Sequence, residues 1–144
     1  MRFIMENKIT KSLVIIGGGL SGCEIAYDLY RKGKRPQIVE AKNDLMAVRG
    51  LCLANSSYLR DFFETNKVPV YLESRVEEIT EDEVIISGKD GQRKALPYDR
   101  VIKAIGYRSN PVFTSENVCV IGDAKKVGNL RTVVWGAWKA AMKI

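Results

Sequence analysis

A glycine-rich turn between a strand pattern and a helix pattern is the feature that most constrains the fold. Residues 11–16 are short, β-branched and continuously apolar, which is typical of a strand buried on both faces of a parallel sheet. Three glycines follow, and apolar residues then recur at helical spacing until Gly33, a natural left-handed helix stop. A second strand pattern covers residues 37–40. This order predicts a βαβ unit with a right-handed crossover.

The rest of the chain predicts further strands and two helices. A helix over 56–65 is expected to end at Asn66, which tolerates the left-handed conformation, and a strand over 68–72 follows. The other predicted elements are three short antiparallel segments at 75–79, 83–87 and 92–96, strands at 101–105 and 118–121, and a helix over 130–142. The predicted fold class is α/β, a Rossmann-like parallel sheet with flanking helices and an antiparallel β-meander crossover.

Size and composition predict one compact globular unit, with room for an appendage. The chain has 144 residues, of which 46% are hydrophobic and 28% charged, so a packed core is expected. The longest aliphatic run, Leu13 to Ile16, is far shorter than the roughly 18–20 residues of a membrane span. No secretory signal pattern opens the sequence. We therefore expect a cytoplasmic protein without a membrane partner.

The residue inventory excludes several kinds of site. There is no histidine, and the three cysteines form no CxxC pair, so neither structural zinc nor a disulfide framework is expected. Cys23 and Cys119 are predicted on buried elements, whereas Cys52 lies in a looser segment. Without histidine the usual general base is missing, so no catalytic residue is assigned and a cofactor must supply the chemistry.

The net charge of +6 does not by itself indicate nucleic-acid binding. The basic residues form short clusters at 31–35 and 89–94 rather than one tract. The first cluster falls at the predicted end of a helix, where cations complement the helix dipole, and the second surrounds a predicted hairpin tip. We therefore expect no nucleic-acid partner.

The glycine turn matches the G-x-G-x-x-G pattern of dinucleotide-binding sites. Gly17 is expected to make the tight turn, Gly19 to let backbone amides approach a pyrophosphate, and Gly22 to let the helix pack closely on the sheet. The helix N-terminus adds a favourable dipole. The remaining candidate residues of this turn are Gly18, Leu20 and Ser21.

An acid at the end of the second strand completes this pattern. Glu40 lies 23 positions after the first glycine and is expected to accept hydrogen bonds from the adenosine ribose hydroxyls. Its charge would repel a 2′-phosphate, which favours NAD(H) over NADP(H). Ala41 and Lys42 follow and are candidate contacts; Lys42 could offset the repulsion, although a solvated surface lysine is its more ordinary role.

Three segments resemble successive motifs of the two-dinucleotide-binding-domain flavoproteins. They are VIIGGGLSGCE at 14–24, AIGYRSN at 104–110 and VCVIGDA at 118–124. Within that superfamily the chain is most similar to the enoate reductase, 2,4-dienoyl-CoA reductase and NADH:flavin oxidoreductase family. There a nicotinamide-binding domain is inserted into an FAD-binding domain, behind an N-terminal barrel that carries FMN and an iron–sulfur cluster.

The resemblance implies a domain division and further site residues. Residues 1–10 would be an extension, 11–106 the NAD(P)-binding domain, and 107–144 the returning half of the FAD-binding domain. Glu24 matches the acid near the nicotinamide end of the site, although the residue pattern alone makes it only a polar helix position. Gly106 matches the glycine of the strand that crosses back, and Gly122 and Asp123 match the motif whose acid holds the FAD ribitol. Asp123 could equally be a turn or helix-capping residue.

The departures from the family limit the expected activity. No barrel, no earlier FAD-type glycine motif and no iron–sulfur cysteine set occurs, so the chain resembles an excised piece of a larger enzyme. It is expected to bind NADH but to turn over little alone, because its partners would be the missing FAD half-domain and the FMN and iron–sulfur barrel. FAD would belong to the intact enzyme. An exposed surface near Trp135 and Trp138 could lead to self-association.

Three alternatives remain open from the sequence. The glycine motif could bind FAD in a small flavoprotein, completed by Gly122 and Asp123; Glu24 and Gly106 favour the nicotinamide interpretation. The domain could sense a nucleotide without redox turnover. A nucleic-acid module is motivated by charge alone.

Overall fold

A computed structural model describes residues 11–47, 52–113 and 115–143. The chain divides into two compact units, Met1–Ile105 and Gly106–Ile144. Within the described ranges, none of the helices is long and apolar enough to cross a lipid bilayer.

The first unit contains the predicted βαβ arrangement and a β-meander. Its helices are α1 (Leu20–Arg31) and α2 (Leu53–Thr65). Its strands are β1 (Ser12–Ile16), β2 (Arg35–Val39), β3 (Val70–Tyr71), β4 (Arg75–Ile79), β5 (Glu83–Ser87), β6 (Arg93–Pro97) and β7 (Arg100–Lys103). The predicted α/β fold with a parallel sheet and an antiparallel meander is therefore confirmed.

The parallel sheet has the strand order β3-β2-β1-β7 in the described residues. On the central strand β1, Val14 pairs with Gln37 of β2 and with Val101 of β7, and both pairings are parallel. Strands β2 and β3 lie on one side of β1 and β7 lies on the other. The strand order therefore reverses next to β1, and ligands of open α/β sheets bind beyond the carboxyl ends of strands at such a point.

The meander strands form a separate antiparallel sheet, β4-β5-β6. The turn between β5 and β6 contains Gly91 in the left-handed region, with φ +75°, as expected for the predicted Asp-Gly hairpin tip. Strand β4 carries an irregularity between Val76 and Glu78.

Both faces of the parallel sheet are covered, as its continuous apolar strands predict. One core cluster joins Ile15 and Ile38 to α1 and α2, through Cys23, Ala26, Leu59 and Phe63. A second cluster joins Val14 and Val39 to the meander, through Val84, Ile86 and Leu96. Alternate residues of β1 and β2 thus serve opposite faces of the sheet.

The second unit contains the helices α3 (Gly122–Lys125) and α4 (Leu130–Ala141). Helix α4 matches the predicted helix closely. It begins with a capping box, in which the Asn129 side chain accepts a hydrogen bond from the Thr132 amide and the Thr132 hydroxyl accepts one from the Asn129 amide. Trp135 and Trp138 on this helix are both more than half exposed.

The predicted strand at 118–121 is wrong. These residues form no strand, and the first and last of them, Val118 and Ile121, are 43% and 36% exposed. A strand needs a neighbouring strand to satisfy its backbone N–H and C=O groups, and the described part of this unit supplies none. Cys119, predicted to be buried on that strand, is exposed for the same reason.

The end of α2 also differs from the prediction. Asn66 has φ −89°, and Lys67 is the residue in the left-handed region, with φ +52°. The Asn66 side-chain amide donates to the Phe62 carbonyl at 2.8 Å, so this asparagine caps the helix by hydrogen bonding while the next residue makes the turn. Helix α2 starts one turn before the predicted residue, at Leu53, which is 80% exposed and therefore adds nothing to the apolar stripe.

Candidate functional site

Gly17 forms the tight turn after β1. Its φ is +108°, a conformation that residues with a Cβ rarely adopt, and its amide donates to the Val39 carbonyl at 2.8 Å. A Cβ at this position would also collide with the Ala104 carbonyl oxygen just after β7. Both the conformation and the space therefore require glycine.

Gly22 lets α1 approach the turn closely. A Cβ here would collide with the carbonyl oxygen of Gly17, and Ala104 lies next to the same position. Gly22 is buried in the first turn of α1. Its predicted role, close packing of the helix on the sheet, matches this geometry.

Gly19 is the glycine that faces open space. It is the N-cap of α1, with φ −70° and ψ 179°, and apart from its own atoms and those of its two chain neighbours no described atom lies within 4 Å of the place where its Cβ would be. No side chain among the described residues caps the helix, and the first turn contains no acid. The amides of Leu20 and Ser21 lie in the first turn of the helix, where amides lack intrahelical acceptors, so they are available to bind an anion.

Glu40 follows β2, and its carboxylate lies against the glycine turn. The Gly18 amide donates to Oε2 at 2.6 Å, and the Lys42 amide donates to Oε1 at 2.8 Å. These two hydrogen bonds fix the orientation of the half-buried carboxylate. An ionised carboxylate offers about four acceptor positions, so two remain for a partner such as a vicinal diol.

An anion-accepting helix end and a fixed carboxylate thus lie together at the carboxyl ends of β1 and β2. Gly19 faces open space, whereas Gly18 and Gly22 on either side have no room for a side chain. This open position suits the pyrophosphate of a ligand. The donor groups and the acid fit a dinucleotide with a free ribose diol.

The other predicted residues of the first unit lie around this centre. Ala41 and Lys42 are exposed, and the Lys42 ammonium lies 3.5 Å from the Ala47 carbonyl oxygen. Glu24 is exposed on α1, where the Asn55 side-chain amide of α2 donates to its carboxylate at 3.5 Å. The roles of these three residues stay predictions.

Of the three predicted residues of the second unit, Gly122 and Asp123 lie in one local turn. Gly106 has φ +88° and is exposed, and Gly122 has φ +60° at the start of α3. The Asp123 carboxylate accepts a hydrogen bond from the Gly128 amide at 3.1 Å. This contact corresponds to the turn-capping role that the sequence allows for Asp123, and a flavin-binding role stays a prediction.

An ion pair beside the site was not predicted from the sequence. Arg60 of α2 binds Asp44 in the segment between β2 and α2, with side-chain distances of 3.1 Å and 2.9 Å. The two residues are 16 positions apart, and the segment around Asp44 has neither helical nor strand periodicity. No sequence signal links them.

No metal-binding cluster is present in the described ranges, where no group of three or more His, Cys, Asp or Glu side chains could hold an ion.

Comparison with known proteins identifies the family. A family model described as pyridine nucleotide-disulphide oxidoreductase matches residues 2–132. The chain belongs to this family. Its FAD/NAD-binding Rossmann-type fold is the one that the strand order and the glycine turn show.

Named relatives of this pyridine nucleotide-disulphide oxidoreductase domain are longer proteins. Cinnamate reductase of Clostridium sporogenes is 38% identical over 98% of this chain and 22% of its own length. NADH oxidase of Thermoanaerobacter brockii is 32% identical over 93% of this chain and 21% of its own length. The chain thus spans about a fifth of these relatives.

A solved structure shows the same fold. A 2-naphthoyl-CoA reductase, in complex with 2-naphthoyl-CoA, matches with a TM-score of 0.78 and 21% identity, over 95% of this chain and 22% of that one.

The family name mentions disulphide chemistry, and the three cysteines here differ sharply in environment. Cys23 is fully buried in α1, its thiol donates to the Gly18 carbonyl at 3.4 Å, and burial raises its pKa to about 12. Cys52 and Cys119 are exposed.

We expect a thiol reagent such as DTNB at pH 8 to modify two cysteines rapidly and Cys23 only after unfolding. The thiolate is the reactive form, so at this pH Cys23 should react at least about a thousandfold more slowly than an ordinary exposed thiol. Mass spectrometry of the labelled peptides, with denatured protein as the control, checks this. Rapid labelling of Cys23 in the folded protein would contradict its burial.

Proposed function

We propose that this chain is the NAD(H)-binding domain of a flavin-dependent oxidoreductase of the enoate reductase and NADH:flavin oxidoreductase type. The observation that carries the proposal is the pairing of the open helix end at Gly19 with the Glu40 carboxylate. One accepts a pyrophosphate and the other a ribose diol. When bound, NADH supplies a hydride for which the FAD of a larger enzyme is the acceptor.

The chain's own residues bind and orient the nucleotide. The amides in the first turn of α1 neutralise pyrophosphate charge, helped by the helix dipole. Glu40 accepts from both ribose hydroxyls while Gly18 and Lys42 hold it in place. Gly17 and Gly22 keep the turn close to the sheet, so the backbone itself forms the binding surface.

The comparisons support a role within a longer protein. The two named relatives are a reductase and an NADH oxidase, and this chain corresponds to about a fifth of each. We infer that the FAD half-domain and the FMN and iron–sulfur barrel belong to that larger assembly, that this domain alone turns over little, and that the enzyme is cytoplasmic. The exposed side chains of Trp135 and Trp138 would then contact the rest of the enzyme or a second copy of the chain.

A small FAD-binding protein is the second candidate, favoured by the Gly122–Asp123 turn. Calorimetric titration of the purified chain with NADH and FAD in parallel distinguishes the two. Under our proposal NADH binds and FAD does not. Tight FAD binding together with indifference to NADH would replace the proposal by the second candidate.

Replacing Glu40 by glutamine tests the nucleotide preference. We expect NADH affinity to fall at least about tenfold, because a hydrogen bond to a charged acceptor contributes about 1.5–3 kcal/mol. NADPH binding should be unchanged or improved, because the charge that repels a 2′-phosphate is gone.

The measurement is the ratio of the NADH and NADPH dissociation constants. Glu64→Gln, at an exposed position on α2, is the matched control. An unchanged ratio in Glu40→Gln would remove the ribose-binding role from this residue.

A further inference from the structure

The side chain of Arg60 joins α2 to the segment that follows Glu40. Its Nε and Nη2 donate to the two carboxylate oxygens of Asp44 at 3.1 Å and 2.9 Å. Nη2 also donates to the Leu45 carbonyl at 2.5 Å. This forked contact lowers the pKa of the Asp44 carboxyl below its usual value.

The segment that Arg60 holds, residues 40–47, is here called the 40–47 loop. Although it lacks regular structure, Leu45 and Met46 are only 5% and 3% exposed. Leu45 packs on the glycine turn, where a Cβ on Gly18 would come within 2.5 Å of its Cδ2. Met46 has φ +52°, a conformation that is unfavourable for a side chain of this size and needs support from its surroundings.

Both backbone groups of Gly18 bind this loop. The Gly18 amide donates to Glu40 Oε2, and the Gly18 carbonyl accepts from the Met46 amide at 2.7 Å. The loop therefore begins and ends on the glycine turn. Arg60 binds the loop at Asp44 and Leu45, the two residues just before Met46.

We expect this ion pair to restrict the conformation of the 40–47 loop more than it stabilises the folded protein. The side chains of Arg60 and Asp44 are 34% and 52% exposed, and exposed ion pairs contribute little to the free energy of unfolding. A loop that is already held in its binding conformation, however, loses less conformational entropy when a ligand binds.

We propose that Arg60 is a positioning residue for the dinucleotide: it pre-organises the 40–47 loop, and thereby the Glu40 carboxylate, for the adenosine ribose. This inference rests on the proposed NAD(H) function. Arg60 acts through Asp44, Leu45 and Met46 and need not contact the nucleotide. Removal of the Arg60 side chain should weaken binding of the adenosine half of the ligand. It should also lower the ratio of NADH affinity to NADPH affinity.

The test compares Arg60→Gln with Arg60→Lys in calorimetric titrations with NADH, NADPH and ADP-ribose. For Arg60→Gln we expect about a tenfold loss of affinity for both NADH and ADP-ribose, with a smaller loss for NADPH. Arg60→Lys keeps the charge but loses the fork, so it should fall between Arg60→Gln and the wild type. Thermal unfolding of each variant shows that it is folded at the titration temperature.

Arg93→Gln is the matched control, because it also removes an arginine ion pair, that of Arg93 with Glu77 at 2.9 Å, in the antiparallel sheet. It should leave all three affinities unchanged. Wild-type affinities in both Arg60 variants would overturn the inference, as would an NADH-to-NADPH ratio identical to that of the wild type. Failure of the wild-type chain to bind NADH would instead overturn the proposed function and this inference with it.

Discussion

Replacing Gly19 by valine should remove NADH binding and leave the fold intact. The N-cap conformation of Gly19, φ −70° and ψ 179°, lies in the extended region that valine favours. Apart from Gly19 and its two chain neighbours, no described atom lies within 4 Å of the new Cβ, so there is room for the larger side chain. It occupies the space that a pyrophosphate must enter to reach the amides of α1. We expect at least about a 100-fold loss of affinity, or about 2.7 kcal/mol.

Calorimetric titration with NADH measures this loss, and thermal unfolding checks the fold. The midpoint should fall by only a few degrees, since valine is less favourable than glycine at a helix N-cap by about 1 kcal/mol but displaces no neighbouring atom. Gly19→Ala, with a smaller side chain at the same position, should give a smaller loss of affinity. Wild-type NADH affinity in Gly19→Val would mean that the open helix end does not bind the nucleotide.

Replacing Gly22 by alanine should instead destabilise the fold, although Gly22 lies only three residues after Gly19. The new Cβ would overlap the Gly17 carbonyl oxygen, which belongs to backbone and cannot turn aside. Overpacking of this kind costs about 3 kcal/mol, which for a domain of this size lowers the unfolding midpoint by about 10 °C.

Circular dichroism during heating measures the midpoint, and Gly19→Ala is the matched control because it adds the same methyl group in open space. A Gly22→Ala midpoint equal to that of Gly19→Ala would contradict the close approach of α1 to the turn. The substitutions at Gly19 and Gly22 therefore test ligand binding and helix packing separately within one motif.

Much of the first unit could be predicted from the sequence, because its signals are local. The apolar run before the glycines marks β1, the helical spacing that ends at Gly33 marks α1, and the Asp90-Gly91 pair marks the hairpin of the meander. The βαβ unit then places the glycine turn and Glu40 at the same edge of the sheet. The contact between Gly18 and Glu40 is a direct result of that placement.

The errors in the second unit occur where structure depends on distant partners. Residues 118–121 form a short apolar run that is typical of a strand, but a strand forms only beside another, and the second unit supplies none in its described residues. The prediction that Cys119 is buried is wrong for the same reason. Likewise, the contact of Arg60 with Asp44 joins residues that no periodicity connects. Long-range pairing of this kind leaves no trace in a single sequence.

The most direct test of the account is a titration of the isotopically labelled chain with NADH, followed through backbone amide signals by NMR. We predict the largest shifts in the first turn of α1 and at Gly18, Gly19, Glu40 and Lys42, with the meander strands unaffected. FAD at the same concentration should not produce these shifts. Shifts from NADH that spare the glycine turn, or an FAD titration that shifts these amides while NADH does not, would contradict the assignment of this domain to NAD(H).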